Sequence, residues 1–424
     1  MRPHKPIRVA ALVDLPRSPQ AGGHVKCWER LAQAAAESDA PLDLTVYFSG
    51  PHLTESLSPN ARLTHLPPLF STAQLKFLPY VPDHTDLAPY HPRLARALAG
   101  YDVIHTTDAF FAYARTAENI ARRRNIPLVT SFHTDTPSYT RLFTRQTIEA
   151  RFGSGWPARK LIHDWKVPER QGRRMDQRLI QHIRRCDFVA ATRDEDHALA
   201  ETILGPTRVG HLRLGIDREV FGPHRRDRAA IEVKWGLPPG QILALFVGRL
   251  DVGKNIHTLV ETVARLRAGG LPLHLITAGI GPAADEIRER LGSGATVAGY
   301  VAPDDLAELY ASVDLVTLTS EVEIRSMVGV EAMASGCPVL VSEKSGVAPL
   351  FGHTPAMHVV QGGVAAWAGA LKRFALDAEA RSSMRSAALD YARKTLASWR
   401  DVLEQDLYTL WREAATPARA ELSA

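Results

Sequence analysis

The sequence predicts an α/β protein made of two successive parallel-sheet units, and three observations carry that prediction. Short, near-continuous apolar runs alternate with stretches of helical spacing along most of the chain, the pattern of a parallel sheet covered by helices on both faces. The alternation comes in two series, separated by a polar, charge-rich, Pro-containing stretch from Gly222 to Gly240 that reads as a linker plus a short helix. At 424 residues the chain is long enough for two or three domains.

Composition narrows the classes. The chain is 45% hydrophobic and 23% charged, ordinary values for a water-soluble globular protein. No segment approaches the roughly eighteen uncharged apolar residues of a membrane-spanning helix. The N-terminus, MRPHKPIRVAALVDLP, runs straight into a strand pattern without a signal peptide's long apolar core, so a cytoplasmic protein is expected. Cys27, Cys186 and Cys337 lie far apart and form no C-x-x-C pair, which argues against a disulfide framework or zinc site and for small core hydrophobes.

The first series begins with Ile7 to Val13, an apolar run like a buried strand, then a turn-rich loop from Asp14 to Gly23 and an amphipathic helix from about His24 to Glu37. Gly22-Gly23 either lets a ligand or a facing domain approach the backbone or simply makes the turn. Its position at the carboxyl end of a strand, where open α/β sheets bind ligands, favours the former. Further strands are predicted at Leu42 to Phe48, Val103 to Thr106, Leu128 to Phe132 and Phe188 to Thr192, with the Pro-rich connection Pro67 to Pro92 irregular. After Phe132 comes His133-Thr134-Asp135-Thr136-Pro137, a histidine directly after a buried strand beside hydroxyls and a carboxylate, placed to meet a ligand. Asp194-x-Asp196 resembles a divalent metal pair, yet acidic residues in the first turn of a helix already have an electrostatic reason to be there, so no metal is expected.

The net charge of +5 is concentrated. Arg141 to Arg185 holds 12 Arg plus Lys against 4 Asp plus Glu, interleaved with aromatics from Tyr139 and Phe143 to Phe152, Trp156 and Trp165. Residues 139–185 therefore suit an anionic membrane surface or anionic acceptor, or form a solvated helix face around Glu169 to Arg185. Charge alone would also suit nucleic acid, though no nucleic-acid partner is expected.

LRLGIDREVF, Leu212 to Phe221, closes the first half and places a domain boundary near 222. The second series reads strand Leu243 to Val247, helix Asn255 to Ala268, strand Leu273 to Thr277, helix Pro282 to Leu291, strand Thr296 to Ala298, helix Pro303 to Ser312 and strand Asp314 to Leu318. Gly248-Arg249-Leu250-Asp251-Val252-Gly253-Lys254 follows its first strand, with two cations placed to neutralise a pyrophosphate, Arg249 as a fork and Lys254 as a point charge. Gly279-Ile280-Gly281-Pro282 follows the next and offers a surface close to the backbone, suited to a flat base. Thr319 to Pro338, TSEVEIRSMVGVEAMASGCP, sets Glu323 in a turn and Glu331 in a helix. Ser326 is the expected N-cap, so the free amides around Ser326, Met327 and Val328 favour a phosphate, and both glutamates suit ligand hydroxyls. From Val364 to about Ala415 the chain is predicted helical, with Trp399, Leu403, Leu407, Leu410 and Trp411 forming an apolar stripe.

Taken together, GRL-x-x-x-K at 248 to 254, GxGP at 279 to 282, the Glu-x7-Glu element at 323 to 331 with its E-A-M-A-S-G-x-P-V tail, and LGID at 214 to 217 resemble the retaining glycosyltransferases of GT-B fold. The resemblance covers nearly the whole chain and is densest from 244 to 346. It implies two Rossmann-like domains facing each other across a cleft, residues 1–222 for the acceptor and 223–396 for the nucleotide sugar, with 397–424 as a helix crossing back to the first domain and a tail. By position, Arg249 and Lys254 hold the diphosphate, Glu331 the ribose, Glu323 the sugar hydroxyls, His133 the reacting end of the donor, and Gly22-Gly23 the diphosphate. The reaction implied is front-face substitution with retention, needing no cofactor or metal, from a UDP or GDP sugar to an acceptor hydroxyl. The basic, aromatic stretch and the His-Thr-Asp-Thr-Pro loop resemble glycolipid-forming members, which implies a lipid or glycan acceptor and peripheral association with the inner membrane face. The alternatives are a soluble acceptor or a non-catalytic GT-B binding module. One departure stands in the Glu-x7-Glu element: after Glu323, its first glutamate, the family usually has a small residue, an aromatic and a glycine, whereas this chain has Ile324-Arg325-Ser326. Arg325 either meets an anionic group on an unusual sugar or points outward.

Overall fold

The computed structural model describes residues 5–74, 85–324 and 326–416. The chain divides into two compact units, Met1–Arg213 with Trp399–Ala424, and Leu214–Ser398. Arg325 and part of the Pro-rich connection Pro67 to Pro92 lie outside the described residues.

The first unit is built on strands β1 (Ile7–Pro16), β2 (Leu42–Ser49), β3 (Leu53–Ser58), β4 (Ala61–Leu66), β5 (Val103–Thr106), β6 (Leu128–Ser131), β7 (Phe188–Ala191) and β8 (Val209–His211). They lie in the order β3-β4-β2-β1-β5-β6-β7-β8. All pair in parallel except β3, which returns antiparallel on β4. Val9 to Val13 are fully buried, so β1 reads as an unbroken apolar run and not as an alternation: it is covered on both faces. The chain leaves β1 to one side for β2 and returns to the other for β5, which creates a switch point where the loops after β1 and β5 diverge.

The second unit carries β9 (Gly215–Ile216), β10 (Ile242–Val247), β11 (Leu273–Ala278), β12 (Ala295–Gly299), β13 (Leu315–Leu318), β14 (Val339–Ser342), β15 (Met357–Val360) and β16 (Ala397–Ser398). Six of them form a parallel sheet in the order β12-β11-β10-β13-β14-β15, with its switch point between β10 and β13. Two apolar layers fill its faces, one around Leu245, Tyr310, Val316 and Met333, the other around Phe246, Leu259, Leu275 and Trp367.

The expected limits of the units shift in detail. Residues 214–222 belong to the second unit, because β9 pairs with β16 and because Leu214, Ile216 and Phe221 sit in its core. The stretch expected as a linker plus a short helix does hold that helix, packed into the unit: Asp227 caps the helix Arg228–Trp235, and Arg228 reaches Asp314 at 3.0 Å. The C-terminal segment is also more broken than a single helix. Ala397–Ser398 is a strand, and the last helix contains a wide turn at Val402–Tyr408 between Trp399–Asp401 and Thr409–Ala415. Its stripe of Trp399, Leu403, Leu407, Leu410 and Trp411 is buried within the first unit. Among the described residues no helix is long and apolar enough to cross a membrane.

Candidate active site

In the second unit the loops after β10 and β13 meet at the switch point. Asp251 Oδ1 accepts from the amide of Lys254 at 3.0 Å, closing a tight turn, and Asn255 takes a left-handed conformation at φ 50° to enter the helix Ile256–Ala268. The loop after β13 is tied to that turn by side-chain hydroxyls: Thr319 Oγ1 donates to the Lys254 carbonyl at 2.9 Å and Ser320 Oγ to the Gly253 carbonyl at 3.3 Å. The strapping brings Lys254 Nζ to 3.0 Å from Glu323 Oε1, a pair largely withdrawn from solvent. Ser326 accepts from the amide of Gly329 at 3.3 Å and so caps Met327–Ala334. Lys254, Glu323, Ser326 and Val328 line one small cavity with Phe246, Thr317 and Thr319.

Arg249 sits in the same loop, 3.3 Å from Asp251. Glu331 accepts a hydrogen bond from Tyr310 Oη at 3.0 Å, and burial, then the Glu331 charge, drives that phenol well above its usual range. Gly279 and Gly281, expected to offer a surface close to the backbone suited to a flat base, have a packing role as well. A Cβ on Gly279 would lie 1.9 Å from the Gly248 carbonyl oxygen, and one on Gly281 would lie 2.4 Å from that of Leu250. On that side the neighbouring loop packs, held by Gly248 N to Ala278 O at 3.0 Å and Leu250 N to Ile280 O at 2.9 Å. These glycines shape the Arg249 loop from behind.

In the first unit Gly22 caps the helix Gly23–Glu37 in an extended conformation, and a Cβ there would meet nothing within 4 Å. Neither backbone strain nor internal packing calls for a glycine at this position. His133 follows β6 and is buried; its ring stacks on His24 at 4.4 Å and its Nε2 lies 2.8 Å from Ser131 Oγ and 3.3 Å from Trp28 Nε1. Asp135 caps the helix Thr136–Phe152 by accepting from Ser138 N at 3.0 Å. His24 and Trp28, which the sequence reading passed over, are four residues apart on one helix and share a face; that spacing was a readable signal. Asp194-x-Asp196 opens the helix Asp194–Leu204, with Asp196 paired to Arg193 at 2.7 Å.

Part of the basic stretch is structural. Arg141 pairs with Asp176, and Arg178, Arg185 and His182 converge on Glu118. Burial works against the Glu118 charge, yet the hydrogen bond from His182 and the neighbouring charges bring its carboxyl down to about 2. The aromatics face outward: Trp156, Trp165 and Phe152 are 74%, 50% and 46% exposed. Lys160 Nζ stands between the two indoles, 6.0 and 5.5 Å from their ring centres.

Two nucleotide-binding-type α/β units with a charged loop pair at the second switch point define the GT-B class. The sequence profile described as Glycosyl transferases group 1 matches residues 227–391, and that of Glycosyltransferase Family 4 matches residues 21–220. The chain belongs to this family of glycosyltransferases. It is 34% identical over 200 residues to a D-inositol 3-phosphate glycosyltransferase of Rhodococcus erythropolis, covering 44% of this chain and 45% of that one. It is 27% identical over 266 residues to a sulfoquinovosyl transferase of Arabidopsis thaliana, covering 60% and 46%. The chain thus spans about half the length of these curated relatives. Sucrose-phosphate synthase of Thermosynechococcus elongatus shares the fold at TM-score 0.71 and 18% identity, over 96% of this chain and 98% of that one.

Proposed function

We propose that the protein is a retaining glycosyltransferase that moves a sugar from a UDP or GDP donor to an acceptor hydroxyl. The observation that carries this reading is the Lys254–Glu323 pair beside the Ser326-capped helix, at the carboxyl end of β10 and β13. A cation and a carboxylate held 3.0 Å apart are a ready-made site for a sugar diphosphate: phosphate oxygens replace Glu323 on Lys254, and sugar hydroxyls replace Lys254 on Glu323. Arg249 joins by exchanging Asp251 for the diphosphate, and the helix start adds amide donors. Glu331 keeps the ribose, while His133 and Gly22-Gly23 keep the roles the resemblance implies. As the sugar–phosphate bond breaks, negative charge grows on the leaving diphosphate, where Arg249 and Lys254 stabilise it most. The acceptor hydroxyl adds to the same face of the sugar and its proton passes to a leaving phosphate oxygen, so no protein nucleophile enters.

The acceptor is a lipid or lipid-linked hydroxyl reached at the cytoplasmic face of a membrane. Exposed Trp156, Trp165 and Phe152 with Lys160 and the neighbouring arginines support this, since indoles and cations together suit an anionic interface. The relatives named for D-inositol 3-phosphate and for sulfoquinovosyl transfer widen the panel to polyol phosphates and to a sulfonated sugar, for which Arg325 is the nearest cation in sequence to Glu323. The test is transfer of labelled sugar from each donor to phosphatidylinositol, inositol phosphate and diacylglycerol, with the product's anomeric configuration read by NMR. Retention on a lipid acceptor is expected; inversion overturns the mechanism, and transfer only to water-soluble acceptors overturns the acceptor. Salt-sensitive pelleting with anionic vesicles, lost in W156A/W165A, is the expected behaviour of the membrane face.

A further inference from the structure

Five side chains of the first unit form one hydrogen-bonded chain. Trp411 Nε1 lies 2.9 Å from His105 Nδ1, and His105 Nε2 lies 2.8 Å from Ser131 Oγ. Ser131 Oγ lies 2.8 Å from His133 Nε2, and Trp28 Nε1 lies 3.3 Å from that same nitrogen. An indole nitrogen can only donate, so the direction of the chain is set at both ends. From the Trp411 end, His105 Nδ1 must accept. The His105 proton then sits on Nε2 and goes to Ser131 Oγ, whose own hydrogen is left for His133 Nε2. From the Trp28 end, His133 Nε2 must accept as well. The two directions agree. His105 is fully buried, and burial holds its imidazolium pKa down to about 3, so the ring stays neutral and keeps one donor and one acceptor nitrogen.

We propose that Trp411 and His105 are positioning residues that hold His133 as its Nδ1–H tautomer, so that His133 serves transfer as a hydrogen-bond donor and not as a base. The Nε2 lone pair, which a base would use, already receives two donors, and Nδ1 carries the ring's proton. The proton of the acceptor hydroxyl must then leave by another route, which is what proton transfer to the departing diphosphate provides. The inference rests on the proposed transferase for the step His133 serves; the tautomer itself does not. It also gives the C-terminal segment a role at the site, because Trp411 lies 306 positions from His105 in sequence.

The experiment is a long-range 1H–15N correlation on the full chain labelled with [15N]histidine, assigned with H105Q and H133N, in which protonated and unprotonated ring nitrogens resonate apart. The expected result is His105 protonated at Nε2 and His133 at Nδ1. His133 protonated at Nε2 overturns the proposal. In W411F the donor to His105 is gone and only the longer 3.3 Å contact from Trp28 is left to hold the direction, so the expected result is a partly averaged pattern for both rings with kcat lowered about tenfold and donor KM nearly unchanged, the loss of one orienting hydrogen bond. Unchanged ring patterns in W411F overturn the positioning role. Should W411F not fold, S131A cuts the chain in the middle: His105 is expected to keep Nε2–H while His133, left with only the longer 3.3 Å contact from Trp28, becomes a mixture, and an unaltered His133 overturns the claim. A protein inactive on every donor still yields these patterns, so the tautomer and the transferase fail separately.

Discussion

The carboxyl ends of the two parallel sheets are equipped in opposite ways. In the second unit the loops after β10 and β13 carry formal charges held against each other, Lys254 with Glu323 and Arg249 with Asp251. In the first unit the residues around His133 form a buried array of indoles, imidazoles and a hydroxyl in which direction matters and charge does not. Charged partners can be exchanged for those of a ligand, because a diphosphate replaces one anion by another. A buried neutral chain resists exchange, because breaking any link strands a donor or acceptor away from water. The first arrangement suits binding a leaving group, and the second suits holding one ring in one state.

The largest expected effect breaks the charged side. Lys254→Ala should lower the rate of sugar transfer about a hundredfold or more, the usual cost of removing one donor to transition-state charge, and should weaken nucleoside diphosphate binding measured by calorimetry. An unaltered affinity removes Lys254 from the site. Next, the glycines separate structure from binding. Gly281→Ala drives a Cβ into the Leu250 backbone at 2.4 Å and should destabilise the second unit by about 1–3 kcal/mol. Gly22→Ala meets nothing and should leave stability within about 0.5 kcal/mol of the parent while slowing transfer; denaturant melts and initial rates distinguish the two.

The neutral side is sharpened by pH. Folding lowers the His105 pKa from 6.5 to about 3, so between those values the unfolded chain binds the extra proton. Its stabilising contribution is complete above about 6.5 and is lost progressively as the pH falls toward 3. H105Q should flatten that part of the stability–pH curve, and a slope identical to the parent's would remove His105 as its source. The smallest effect concerns the pair itself. Glu323→Gln releases Lys254 and should tighten free nucleoside diphosphate binding about threefold, the scale of a partly exposed ion pair, while slowing turnover of the nucleotide sugar through loss of an acceptor for its hydroxyls.

What was legible in the sequence follows from how local each feature is. The strands Val103–Thr106 and Leu315–Leu318 and the helix Pro303–Ser312 stand within a residue of expectation, because short, mostly apolar β-branched runs mark buried strands and a proline at the first helical position marks a helix start. The hairpin Leu53–Ser58 with Ala61–Leu66 was not foreseen. Leu53 is 54% exposed on an edge strand, so no apolar alternation marks it. The wide turn at Val402–Tyr408 is a hydrogen-bond pattern with no residue signature. The charged site was readable because its residues lie on short loops with motif spacing, from Arg249 to Lys254 and from Glu323 to Glu331. The neutral array was not: Trp28, His105, Ser131 and Trp411 come from four separate elements, the pairing of β5 with β6 sets His105 beside Ser131, and the packing of the last helix against those strands adds Trp411. The packing role of Gly279 and Gly281 was not readable, because it lies in a neighbouring loop that spacing does not reveal.

The measurement that bears most directly on the transferase is a thermal-shift panel of UDP, GDP, ADP and their common sugars on the parent and on Lys254→Ala, since a ligand that binds only the folded state raises the melting temperature with its occupancy. One nucleoside diphosphate, with its sugar, should raise the melting temperature of the parent and do so far less in Lys254→Ala. No response to any nucleotide, or an equal response in both proteins, would contradict a donor site at Lys254 and Glu323.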